Sequence, residues 1–190
     1  MFGSHLSIAG GLHNALLEAE KLGCATVQCF TKNQQQWKCK PLDVGVVEQW
    51  KSHCKRLGFS RTVSHDSYLI NLASPDDRLW EASVELFAEE ISRCAVLGIP
   101  YLVTHPGAHV GSGEEAGLKR AVKGLDRAYA AAEANGVTTC LEITAGQGIL
   151  IIEAMKMQNE VRSPKDGQLK KLLVHQGANV VAGEVLAIIE

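Results

Sequence analysis

Glycine closes each of four helical patterns, and an apolar strand pattern follows each one. No other feature of the chain constrains its fold as strongly. Leu12, Ala15, Leu16, Ala19 and Leu22 recur at helical spacing, and Gly23 follows them. Residues 43–57 repeat the device, with Val46, Val47, Trp50, Cys54 and Leu57 inward and Gly58 as the stop. Pro75-Asp76-Asp77 opens a third helix, because proline and acids suit a first turn. Its inner face is Leu79, Val84, Leu86, Phe87, Ile91, Ala95 and Leu97, and Gly98 closes it. A fourth runs from about Glu114 to Asn135 and ends at Gly136.

Between these helices lie strand patterns at 3–8, 25–30, 61–65, 101–105 and 137–142. A β-α alternation of this kind implies a parallel sheet with crossover helices. Five strands and four helices suit either a doubly wound sheet or the beginning of an eight-stranded barrel.

The pattern changes near Gly148. All six cysteines and all ten Phe, Trp and Tyr residues precede that glycine. Residues 149–190 instead alternate at period two, with turn signals at Ser163-Pro164-Lys165-Asp166-Gly167 and Gln176-Gly177. Strands are expected at 149–154, 158–162, 168–174 and 185–189, with no helix. Two domains therefore follow: 1–148, α/β, and 149–190, small and all-β.

The formal net charge of -2 provides no global field toward nucleic acid, so any such contact is local. No stretch is apolar for long enough to span a membrane, and the start lacks a signal-peptide pattern. Cysteines 24, 29, 39, 54, 94 and 140 form no C-x-x-C pair, as expected of buried, reduced thiols in a cytoplasmic protein.

Parallel α/β folds place their sites at the carboxyl ends of strands. His65, His105 and Glu142 close three consecutive strands here. Two imidazoles and a carboxylate are a ligand set for a catalytic zinc. A strand-end histidine can equally be a hydrogen-bonded structural residue, and spacing alone leaves both readings open. His13 and His53 fall within helices and read as surface or helix-face residues, while His175 lies in the tail. His5 and His109 lie near the mouth of the sheet.

Longer motifs narrow the choice. Gly3-Ser-His-Leu-Ser-Ile-Ala-Gly-Gly11, Phe30-Thr-Lys-Asn-Gln-Gln-Gln-Trp37, His65-Asp-Ser-Tyr-Leu-Ile-Asn-Leu72, His105-Pro-Gly-Ala-His109 and Leu141-Glu-Ile-Thr-Ala-Gly-Gln-Gly148 occur in this order. Together they make residues 1–148 resemble the endonuclease IV family of zinc-dependent apurinic/apyrimidinic endonucleases. That resemblance implies part of a (β/α)8 TIM barrel, a three-zinc centre, and cleavage of DNA 5′ to an abasic site in base excision repair. It implies that His65 and His105 bind one zinc and that the catalytic Glu142 bridges it to a second. Asn33, Gln35, Tyr68 and His109 are the DNA-contacting candidates, with Tyr68 probing the lesion. Many relatives carry arginine where this chain has Gln35. Nothing after Gly148 matches the family's later ligands, so the expectation is one ligated zinc site, a second reduced to its bridge, and impaired activity.

In the tail, Glu153-Ala-Met-Lys-Met157, Gly167-Gln-Leu and Leu186-Ala-Ile-Ile-Glu190 resemble the later half of a biotinyl carrier domain, a flattened barrel of the biotinyl/lipoyl type. The resemblance implies biotin on Lys156, attached by a biotin protein ligase, and a biotin-dependent carboxylase as partner. Most lysines at turns are simply solvated, and that alternative stands. A third reading is a fusion in which neither activity survives.

Overall fold

The computed structural model describes residues 2–132, 134, 136–143, 148–154, 157–162, 166–175 and 184–190. Two compact units divide the chain, Met1–Cys140 and Leu141–Glu190.

In the first unit the expected alternation is present: β1 (Gly3–His5), α1 (Asn14–Lys21), β2 (Thr26–Cys29), α2 (Val44–Leu57), β3 (Val63–His65), α3 (Asp77–Leu97), β4 (Tyr101–Thr104), α4 (Glu114–Ala131) and the start of β5 (Thr138–Ile143). Strands β1 to β4 pair in chain order and all in parallel. Every chain-adjacent pair is therefore joined by a crossover helix, as parallel strands require.

Local chemistry sets the helix ends. The Asp43 carboxylate accepts from Gly45 N–H at 2.8 Å, and Asp76 accepts from Leu79 N–H at 2.8 Å. Each aspartate thereby satisfies a first-turn donor that has no helical partner. At the other ends, Gly58 and Gly98 sit at φ 69° and 73°, a left-handed conformation that glycine adopts without penalty. The fourth helix stops at Ala131, short of the expected Asn135, and Ala132 is extended. The chain must leave the helix there to return to the sheet, where Thr138 N–H donates to Pro100 O at 2.8 Å.

The core lies between sheet and helices. Ala15, Leu16, Ala19, Val27, Cys29, Trp50, Phe87, Ile91, Cys94 and Leu102 are wholly buried. Leu22, expected inward, is exposed because it caps α1 rather than continuing it. On α2 only Trp50 is buried, and Val46 is exposed. Successive helices are fastened at the surface: Arg56 on α2 makes two 2.7 Å bonds to Glu20 on α1, and Arg127 on α4 bonds both oxygens of Glu81 on α3 at 2.7–2.8 Å. All six cysteines are free thiols. Burial pushes the Cys29 thiol up to about 12 and raises Cys94 and Cys54 as well, which keeps them protonated and unreactive.

The second unit is antiparallel. Glu142 and Ile143 of β5 pair with Gln168 and Gly167 of β8 (Gly167–Leu172), and β8 pairs with β9 (Ala187–Ile189). Strands β6 (Gly148–Ala154) and β7 (Met157–Arg162) form a separate hairpin. These strands match the expected period-two segments. Among the described residues, no helix is long and apolar enough to cross a membrane.

Candidate metal centre

The site begins with the register of β3 and β4. Pairing of His65 with Val103 brings the last residue of β3 level with the end of β4, which His105 follows. Their rings stand 5.1 Å apart, centroid to centroid, inclined at 58°. Each offers a ring nitrogen within 4.8 Å of the other. Two nitrogens on one tetrahedral zinc, each about 2.0–2.1 Å from it, stand about 3.3 Å apart, so a small approach of the rings suffices.

The His65 ring is held in a defined state. It is only 3% exposed, and Nδ1 lies 2.8 Å from the backbone oxygen of Asp66. A carbonyl can only accept, so Nδ1 carries the hydrogen and Nε2 carries the lone pair that a metal needs. Asp66 is buried as well. Its carboxylate lies 3.5 Å from the same nitrogen and accepts a short bond from the Thr104 hydroxyl. Sequence reasoning passed over Asp66. Its position directly after a ligand-type histidine was the available signal.

Rings pack around these histidines. Phe30 meets His65 edge-on at 5.8 Å and Tyr68 edge-on at 5.6 Å. Tyr68 lies 5.3 Å from His65 and is nearly parallel to His105 at 6.3 Å. With 63% of its surface exposed, Tyr68 stands over the pair as an apolar face open to a ligand. His5 joins the cluster through Phe30 at 4.6 Å, with its Nδ1 3.0 Å from the Gln28 side-chain amide.

Asn33 and Gln35 are both exposed in the loop after β2, where the Asn33 side chain accepts from Gln35 N–H at 2.9 Å. His109 does not project freely from its loop. Its Nδ1 accepts from Gly111 and Gly113 N–H at 3.2 and 3.3 Å, so it caps a turn and Nε2 bears the hydrogen. His53 lies within α2, whereas His13 precedes α1 as its N-cap rather than falling inside the helix, and the two rings stack at 5.5 Å. Glu142 is the fifth residue of β5 and half-buried, and it belongs to the second unit. Lys156 lies outside the described residues.

Besides Asp66, the buried charged residues Glu90 and Arg93 are absent from the sequence-based expectations, and Lys32 of the Phe30–Trp37 motif is buried with them. Glu90 falls three residues after Phe87 and four before Cys94, on the buried stripe of α3. An acid on an apolar stripe was the signal that could have exposed it.

Known proteins resemble most of this chain. Residues 16–167 match the family described as a xylose isomerase-like TIM barrel. A probable endonuclease 4 of Chloroflexus aurantiacus is 47% identical over 147 residues, 77% of this chain and 52% of the relative. The crystal structure of endonuclease IV from Thermus thermophilus superposes with a TM-score of 0.65 at 35% identity, over 77% of this chain and 52% of that one. D-psicose 3-epimerase from Clostridium cellulolyticum, at 16% identity and TM-score 0.57, shares the fold over 76% of this chain and 53% of its own. The chain spans about half the length of the curated relatives it matches.

Proposed function

Because the chain belongs to the xylose isomerase-like TIM-barrel family, we propose that it is a zinc-dependent abasic-site endonuclease of DNA repair, hydrolysing the phosphodiester 5′ to the lesion. The observation that carries this reading is the His65–His105 pair beneath an exposed Tyr68, with Nε2 of His65 prepared for a metal by the Asp66 carbonyl. Similarity to the endonuclease 4 relatives supports the same conclusion.

Within this reading His65, His105 and Glu142 hold the zinc. A zinc held by these residues would supply Lewis-acid chemistry for a phosphoryl oxygen and a hydroxide at neutral pH. Tyr68 enters the gap left by the missing base, where no stacking need be broken first. Asn33 and Gln35 contact the backbone beside it, and His109 orders the loop behind His105. Incision of an abasic-site duplex by zinc-loaded protein, absent with chelator and with His65→Ala, is the expected result. A zinc-loaded protein that leaves the duplex intact would sink the reading.

A second reading concerns the tail, that of a biotin acceptor. The β6–β7 hairpin favours it, since its last pair is Ala154 with Met157, the residues that bracket Met155-Lys156 in the sequence. Co-expression with a biotin protein ligase is expected to add one biotin to the wild type and none to Lys156→Ala. A wild type of unchanged mass removes this reading.

A further inference from the structure

Glu90 is 1% exposed and sits on the apolar stripe of α3 among Phe87, Ile91 and Cys94. A charge there is costly, and an apolar residue of similar volume would serve packing as well or better. What Glu90 touches explains its presence. One carboxylate oxygen accepts from the Thr31 hydroxyl at 2.9 Å, and the other lies 3.9 Å from the Lys32 ammonium. The Ser67 backbone N–H donates to the same carboxylate.

Those partners lie on two different loops. Thr31 and Lys32 begin the loop after β2, and Lys32 Nζ goes on to donate to Gln36 O at 2.6 Å and Asn33 O at 3.0 Å. Arg93, one turn beyond Glu90, donates to Thr31 O at 2.6 Å, Thr31 Oγ1 at 3.2 Å and Lys40 O at 3.0 Å. Ser67 belongs to the loop after β3, and its hydroxyl donates to Gln34 O. The first loop exposes Asn33 and Gln35, the second Tyr68.

We infer that Glu90, paired with Lys32, is a positioning residue that fastens the loops after β2 and β3 to one buried point, so that Asn33, Gln35 and Tyr68 form a single preorganised surface for a DNA backbone. The loop coupling stands on the contacts above, while its use in DNA binding rests on the endonuclease reading. Preorganisation of this kind lowers the ordering cost that binding would otherwise carry.

The test uses the full chain. Glu90→Gln removes the charge, and the double variant Glu90→Gln/Lys32→Met removes both charges together, leaving neither buried alone. Glu85→Gln, on the exposed side of the same helix, is the control. Amide hydrogen exchange is expected to accelerate by roughly tenfold or more at residues 34–36 and 67–68 together in the double variant, with cooperative unfolding retained and the control unchanged. Binding of a labelled duplex carrying a tetrahydrofuran abasic site is expected to weaken by about tenfold or more in parallel. A folded double variant whose exchange in both loops stays within about twofold of wild type overturns the proposal. So does a double variant that no longer unfolds cooperatively, since the pair would then be supporting the core. If the wild type fails to bind the duplex, the endonuclease reading falls, and the exchange comparison still decides the role of Glu90.

Discussion

Gly107 is the position at which a single methyl group should do most damage to the loop carrying His105. Its φ of +94° already disfavours any side chain. A Cβ would overlap the Asn71 carboxamide oxygen and approach Ala73 N to 2.9 Å. That carboxamide staples the loop after β3 to the loop after β4: Oδ1 accepts from Ala73 N–H at 3.1 Å and Ala108 N–H at 2.9 Å, and Nδ2 donates to Ala108 O at 3.0 Å. Three hydrogen bonds at about 1 kcal/mol each and a backbone penalty of about 1 kcal/mol predict that Gly107→Ala costs about 4 kcal/mol. Asn71→Ala removes the same three bonds and should cost about 3 kcal/mol. In that background the new methyl group no longer displaces the carboxamide and only the backbone penalty is added, so the double variant should cost about 4 kcal/mol, a coupling of about 3 kcal/mol. Urea unfolding followed by tryptophan fluorescence measures all three, because Trp37, Trp50 and Trp80 lie in the first unit. Penalties that add to within about 0.5 kcal/mol would refute the staple.

Phe87 is wholly buried, so Phe87→Ala should destabilise the first unit by about 3–5 kcal/mol in the same assay. Tyr68→Ala, at an exposed position, should leave stability within about 0.5 kcal/mol and, under the proposed function, weaken binding to an abasic duplex by about tenfold, seen as a gel or anisotropy titration. The Arg56 hydrogen bond holds the Glu20 carboxyl below its usual range, and the Arg127 bond does the same for Glu81. Both folded values lie below the unfolded one, so their small contribution is present above about pH 4.5 and is lost as pH falls further. Glu20→Gln/Glu81→Gln should therefore flatten the decline of melting temperature below about pH 4.5.

The helices and strands were legible because their signals are local. Asp43 and Asp76 cap, Gly58 and Gly98 stop, and the period between them is helical. His65 and His105 could be read as ligand candidates because strand ends in parallel folds point to one face. Leu22 was misread since periodicity does not mark the residue at which a helix ends. His109 showed its residue type but not its task, because the two glycine amides that occupy its Nδ1 are a matter of loop geometry.

What the sequence determined by itself is the order of elements and the residue types that could bind metal. Tertiary structure alone decided that the ring nitrogens of His65 and His105 come within 4.8 Å. It also decided that Asp66 selects the His65 tautomer and that Glu90, Lys32 and Arg93 lie inside. The physical reason is range. Capping and periodicity act within a few residues, whereas the bond from Thr31 to Glu90 joins positions 59 residues apart. A buried charge is tolerated only once such distant partners have been brought to it.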